Sequence, residues 1–183
     1  MIAEGAFIDS NAKVEGYAEI GPQAILGKDS QVWGGCVEGV IGDRTKVWRF
    51  AHVQLGAIVG NDCMIGQGVF IAPTARVGDR VKVQNHTDIS MHVTIEDDAF
   101  VGAGVRFCNA PHPTSSGPQK FECITIKKGA MIGSNVSIVG EVTIGEYAVV
   151  GAGCVVTKSV PAHSRYLAAG VVGQETYRGP RNG

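Results

Sequence analysis

From Lys82 to Asp88 the chain reads Lys-Val-Gln-Asn-His-Thr-Asp, a run in which most side chains can donate, accept or move a proton. A histidine titrates near neutral pH, so His86 is suited to take the proton from an attacking amine or hydroxyl. Asn85 beside it can orient that nucleophile or polarise a carbonyl, and Gln84 can contact a substrate. The same three polar residues would also serve simply to solvate a corner of the fold. His52, next to Trp48 and Phe50, and His92 and His112 raise a second chemistry, a three-histidine zinc site. Their spacing opposes it: His86 and His92 are 6 residues apart, and His52 and His86 are 34 apart. No metal is expected. Five cysteines form an odd set without C-x-x-C spacing. Cys36, Cys63 and Cys154 occupy positions otherwise held by small residues and read as buried filler. Cys108 and Cys123 bracket an irregular segment.

The elements that must position these residues follow from a repeat. An aliphatic anchor recurs every six residues from Ile2 to Val32, from Ile41 to Phe107 and from Ile126 to Val156, giving 24 hexads. A small or β-branched residue stands four places after each anchor, as at Ala51, Ala57, Ala99 and Ala148. A period of six fits neither an α-helix nor plain strand alternation. It fits short strands of β-branched residues joined by turns, with anchor and small residue both facing inward. Three hexads close one triangular coil, so the chain predicts an all-β parallel β-helix of about eight coils, roughly 38 Å tall at the usual strand spacing.

Two interruptions break the count. Glu38-Gly39-Val40 reads as a three-residue bulge, and residues 113–125 as a loop leaving the prism, rich in Pro, Ser and Gly. Long loops in compact folds are often functional, which makes His112, and Glu122 near the loop's far end, candidates for substrate binding. The β-helix is expected over residues 1–160 and a short tail over 161–183.

Glycine, at 26 of 183 residues, is about twice its usual share, and only 7% of residues are aromatic. The formal net charge of −1 supplies no basic field for nucleic acid or a membrane surface. No run of about 18 apolar residues and no signal-like leader is seen, and a cytoplasmic location is expected. A narrow aliphatic prism has no room for a ligand inside. Sites must lie in clefts between prisms packed side by side, and a triangular section suits a trimer.

From about Ile41 onward the chain resembles bacterial sugar-nucleotide N-acetyltransferases of the hexapeptide-repeat superfamily. The resemblance spans roughly two-thirds of the chain. It is carried by Val47-Trp48-Arg49-Phe50-Ala51-His52, Lys82-Val83-Gln84-Asn85, Phe107-Cys108-Asn109, Lys127-Lys128-Gly129-Ala130 and Gly145-Glu146-Tyr147-Ala148. It implies a left-handed β-helix, a homotrimer and acetyl-CoA as co-substrate. The acceptor would be the amino group of a nucleotide-linked sugar destined for surface polysaccharide. It also implies that Asn85 and Asn109 steer the amine, and that backbone groups at Gly129, Ala130, Ala148 and Gly151 meet the pantetheine arm. Lys158 and Arg165 are candidates for the CoA phosphates on charge grounds. The chain departs from the family pattern in three places. His86 stands where a second Asn is usual, the loop reads Ala110-Pro111-His112-Pro113-Thr114, and six hexads precede the usual start. A zinc enzyme resembling the carbonic anhydrases built on the β-helix, and a non-catalytic assembly subunit, are the rival functions.

Overall fold

The computed structural model describes residues 1–167 and 170–171. Its strands are two or three residues long and alternate among three sheets of eight, ten and eight strands. The first face runs from Phe7–Ile8 to Val142–Ile144, the second from Lys13–Val14 to Gly170–Val171, and the third from Ala18–Ile20 to Val155–Val156. Partners lie directly above one another, as in Val59↔Val77, Ile65↔Val83 and Ile71↔Ile89, so each regular coil takes 18 residues. The result is the left-handed parallel β-helix, eight complete coils with partial turns at both ends. No helix long and apolar enough to cross a membrane is found among the described residues.

The anchors fill the prism. Ile65, Ile71, Ile89, Ile132, Ile138 and Ile144 are fully buried, and among the described residues Phe107 is the one fully enclosed aromatic, with Tyr166 packed partly buried against the core. At some corners the inward small residue is a threonine whose hydroxyl closes the turn. Thr87 Oγ1 donates to the carbonyl of Gly102 at 2.7 Å and accepts from the amide of Val105. A buried polar group is tolerated there because it is satisfied.

Between the second and third coils the structure corrects the expected bulge. Val37 is itself an anchor, buried and paired with Ile20 below and Val53 above. Glu38-Gly39-Val40 is therefore a shortened corner, and the repeat loses residues instead of gaining three. Glycine permits the tight path: a Cβ on Gly35, whose φ is +131°, would sit 2.5 Å from the carbonyl oxygen of Ala51. The large excursion is also displaced. Asn109 and Glu122 pinch its base through the Glu122 amide and the Asn109 carbonyl at 2.8 Å. Ile124–Ile126 already forms a strand paired with Val93–Ile95. The loop thus covers residues 110–121, and Thr125, expected in the loop, lies in the sheet.

Past Val156 the pairing continues. Val160 bridges Ile144, and Arg165–Leu167, in the stretch expected to be a tail, adds a parallel rung above Val149–Val150. Gly170 then pairs antiparallel with Leu167. Residues 168–169 and 172–183 of that stretch lie outside the described residues.

Most corners carry a residue in the left-handed conformation. On the edge between the second and third faces this column reads Gly16, Gly34, Phe50, Gly68, His86, Gly104, Asn135, Gly153, alternating glycine with a larger residue from Gly34 onward. On the edge between the first and second faces it includes Arg44, Asp62, Arg80, Asp98, Gly129, Tyr147 and His163.

Candidate functional site

Gln84, Asn85 and His86 occupy the edge between the second and third faces. Gln84 is half-buried, and Asn85 and His86 are exposed, as an outward reading of the run requires. Asn85 Oδ1 accepts the amide of Gln67 at 2.9 Å. The same bond recurs on the neighbouring edge, where Asn61 accepts from Asp43, Asp79 from Asn61 and Asp97 from Asp79. The carbonyl end of Asn85 is thus committed to holding the corner below it, and what it offers a substrate is the Nδ2 donor. His86 has φ +58° and donates its amide to the Gln67 carbonyl at 2.8 Å. Its own carbonyl accepts the Arg106 guanidinium at 2.5 Å. Its ring lies over Gly68, with Nδ1 only 2.6 Å from where a Cβ on that glycine would be. Nε2 is the ring nitrogen left for a substrate.

Asn109 lies elsewhere. It is 5% exposed, on the edge between the third and first faces, where Nδ2 donates to the Met91 carbonyl and its carbonyl holds Glu122. It closes the base of the loop. Within the loop, Gln119 bridges the amide of Thr114 and the carbonyls of His112 and Lys120, and the His112 ring is exposed. Glu122 is half-buried, with Lys120 Nζ at 3.8 Å and Gly140 beside its carboxylate. The breadth of the third face therefore separates Asn85 and His86 from Asn109, His112 and Glu122. One chain does not bring the three expected catalytic residues together.

The residues expected to hold the cofactor are also spread out. Gly129, Ala130 and Ala148 form corners between the first and second faces, where the Tyr147 ring covers Gly129 and stacks on His163 at 5.4 Å. The Ala130 and Ala148 side chains point into the core. The amides of Gly129, Ala130, Ala148 and Gly151 donate to Asp97, Lys127, Gly145 and Tyr166 respectively. All four N–H groups are thus taken, and the carbonyls of Ala130 and Ala148 accept the amides of Phe100 and Met131. Lys158 is exposed near the third-to-first edge, and Arg165 lies on the second face above Val149.

Charge gathers on the first-to-second edge. Arg44 and Asp62, and Arg80 and Asp98, pair at 2.6 Å, while Lys127 meets Glu96 at 2.7 Å. Hydrogen bonding from the arginines holds the Asp62 and Asp98 carboxyls below their ordinary range. Exposed pairs of this kind add little to stability.

Two family models match the chain: the GMPPB C-terminal domain over residues 2–95, just over half the chain, and the bacterial transferase hexapeptide (six repeats) over residues 123–158. The chain belongs to the family of the GMPPB C-terminal domain, and its later coils carry the hexapeptide repeat of the bacterial transferases. Among its hexapeptide-repeat relatives is the dTDP-3-amino-3,6-dideoxy-alpha-D-galactopyranose 3-N-acetyltransferase of Aneurinibacillus thermoaerophilus. It is 49% identical over 125 residues, which span 68% of this chain and 65% of that one. The bifunctional protein GlmU of Staphylococcus haemolyticus is 27% identical over 91% of this chain, which spans 38% of that relative's length. The fold also matches the Francisella novicida UDP-N-acetylglucosamine acyltransferase. That match has a TM-score of 0.59 and 21% identity, covering 94% of this chain and 69% of the other. A hexapeptide-repeat acetyltransferase from Vibrio cholerae, solved with acetyl coenzyme A, matches at a TM-score of 0.55 and 24% identity, covering 64% and 68%.

The early coils of this hexapeptide-repeat chain hold a feature the sequence reading missed. A surface groove of about 490 Å³ runs along the second-to-third edge between Tyr17, Trp33, Arg49 and Phe50. Trp33 packs on Trp48 with ring centroids 4.8 Å apart. At the groove's side stand Cys36, Glu38 and His52, whose ligand atoms all lie within 4.8 Å of one another. Cys36 is thus no buried filler. It lies in register between Glu19 and His52 on the outer surface of the third face, and burial, then Glu38 and Glu19, push its thiol up. Cys63 and Cys154 are buried as expected, and burial pushes Cys63 up to about 11. The signal that would have found the cluster is Val37: taken as an anchor, it turns Cys36 and Glu38 outward together. The three-histidine zinc reading finds no such cluster among the described residues of one chain.

Proposed function

We propose that this chain is an acetyl-CoA-dependent N-acetyltransferase acting on the amino group of a nucleotide-linked amino sugar. It works as a cytoplasmic homotrimer that supplies surface polysaccharide. The observation that carries the reading is the 49% identity over 125 residues to a relative named as a sugar-nucleotide 3-N-acetyltransferase. The distribution of polar groups supports it. Asn85 and His86 lie on one edge of the third face and the 110–121 loop on the other, so packed prisms can complete a cleft that one prism leaves open. The neutral amine attacks the thioester carbonyl carbon, the C–S bond breaks from the tetrahedral intermediate, and CoA leaves as the thiolate. His86 Nε2 takes the proton lost by the amine and returns it to the sulfur. The Asn85 Nδ2 group donates to the developing oxyanion, and co-binding of both substrates supplies much of the rate. Lys158 and Arg165 meet CoA phosphates from different faces, which again calls for more than one subunit.

The test is release of free thiol from acetyl-CoA with a panel of 3-amino and 4-amino sugars linked to dTDP or UDP. The expected result is turnover of at least one of them, by a species of about three times the 19.1 kDa chain mass in sedimentation equilibrium. No release with any acceptor, or full activity in a stable monomer, refutes the proposal.

A further inference from the structure

The first three coils carry a cluster that the proposed acetyl transfer does not use. Cys36 and Glu38 are two residues apart on the outer surface of the second coil, and His52 sits directly above Cys36 on the third. The three bring a sulfur, a carboxylate and an imidazole to one spot, with His52 Nε2 and Glu38 Oε2 at 3.1 Å. The Phe70 ring packs nearly perpendicular to the imidazole, at 5.6 Å between centroids, and restrains its plane. Glu19, one rung below Cys36, adds a second carboxylate, and the groove between Trp33 and Phe50 opens beside them. Arg49 is the cation that lines this groove, and the thiol itself is flanked by carboxylates.

We infer that Cys36, Glu38 and His52 form a binding site for one zinc ion, with its fourth position facing the groove. Tetrahedral zinc takes N and O ligands at about 2.0–2.2 Å and thiolate sulfur at about 2.3 Å, which places ligand atoms roughly 3.2–3.8 Å apart. The histidine–glutamate pair, at 3.1 Å, stands within about 0.1 Å of this range. The sulfur closes the rest by rotation of the short Cys36 side chain. A thiolate with an imidazole and one carboxylate selects zinc over magnesium or calcium, which favour all-oxygen shells. A zinc ion here ties the second coil to the third at the place where the repeat is shortened. It leaves one coordination position for water, for Glu19 or for a donor atom of a molecule in the aromatic groove.

The competing reading is an ordinary surface hydrogen bond between His52 and Glu38. The two are separated by titrating chelator-treated full-length protein with Co²⁺ and then Zn²⁺. The zinc site gives a near-ultraviolet thiolate-to-cobalt charge-transfer band and the visible bands of a tetrahedral ion. Both saturate at one equivalent per chain and vanish when zinc is added. Cys36→Ser abolishes the charge-transfer band, whereas the Cys108→Ser/Cys123→Ser double variant retains it. Glu38→Gln, a near-isostere that leaves the melting curve in chelator unchanged, weakens zinc binding at least tenfold. It keeps the test decisive even if Cys36→Ser folds poorly. Absence of the band in the parent, its persistence in Cys36→Ser, its loss in the Cys108/Cys123 variant alone, or parental zinc affinity in Glu38→Gln each overturns the assignment.

Discussion

Adding one methyl group at Gly68 tests whether His86 is held in place by the coil beneath it. Gly68 has φ +64°, and a Cβ there would stand 2.6 Å from His86 Nδ1 and 2.9 Å from Cε1. In Gly68→Ala the backbone term alone costs about 1–2 kcal/mol, because an L-residue is forced into the left-handed region. The imidazole must also swing off its seat, at about 0.5–1.5 kcal/mol for an off-rotamer side chain. The variant should therefore lose about 2–3 kcal/mol in denaturant unfolding at fixed protein concentration, read as a lower midpoint with an unchanged slope. The two contributions separate in the His86→Ala background, where only the backbone term survives and the cost of Gly68→Ala falls by about 0.5–1.5 kcal/mol. If His86 is the base, Gly68→Ala also lowers kcat/KM at least tenfold, since the ring has lost its support. An equal cost of Gly68→Ala in both backgrounds, with full activity retained, would refute the seating of His86 on Gly68.

His86→Ala should lower kcat and kcat/KM together by about 10²–10⁴ and remove one limb of the pH–rate profile; a loss under tenfold with the profile unchanged assigns the proton transfer to the amine's own ionisation. Asn109→Ala, which leaves the Met91 carbonyl without its donor and loosens the loop base, should lower stability by about 1–3 kcal/mol in denaturant unfolding. An unchanged midpoint would show that Asn109 does not hold the fold. Replacing residues 113–118 with a shorter linker should leave the melting curve intact and raise KM for the sugar nucleotide, whereas parental kinetics on every acceptor would make the loop a surface insertion. Arg80 holds the Asp98 carboxyl below its ordinary range, so the stability this carboxylate adds is present above the unfolded value near 3.9 and fades as pH falls through the lower native one. Asp98→Asn should flatten that acid limb in a melting-temperature series, and a limb unchanged from the parent would place the acid sensitivity elsewhere.

Much of this was written in the hexads. From Ile41 to Phe107 each anchor lies where a period of six puts it, because every third anchor stacks on a like residue and a slip would turn aliphatics outward. The period hides places where glycine lets the chain cut a corner. Val37 escaped notice for that reason, and with it the outward turn of Cys36 and the cluster around it. The loop boundary moved because Ile124 is itself inward-facing, a strand position masked by the adjacent irregular sequence. That Asn85 and Asn109 fall on different edges was legible in principle: their anchors, Val83 and Phe107, belong to different faces once hexads are counted in threes. What spacing alone left unseen is how each polar group is used, such as the Asn85 oxygen that braces the corner below it.

The alternation of glycine with a larger residue between the second and third faces gives the prism a grain coarser than its own coil. His86 leans on Gly68 and Asn135 on Gly104, so each of these two corners needs a bare one directly beneath it. Losing or duplicating a single coil between Gly68 and Asn135 would stack two side chains in one seat, or set two glycines in succession as Gly16 and Gly34 are at the start of the column. Along this stretch a change of length by two coils keeps His86 and Asn135 seated on glycine, whereas a change by one does not.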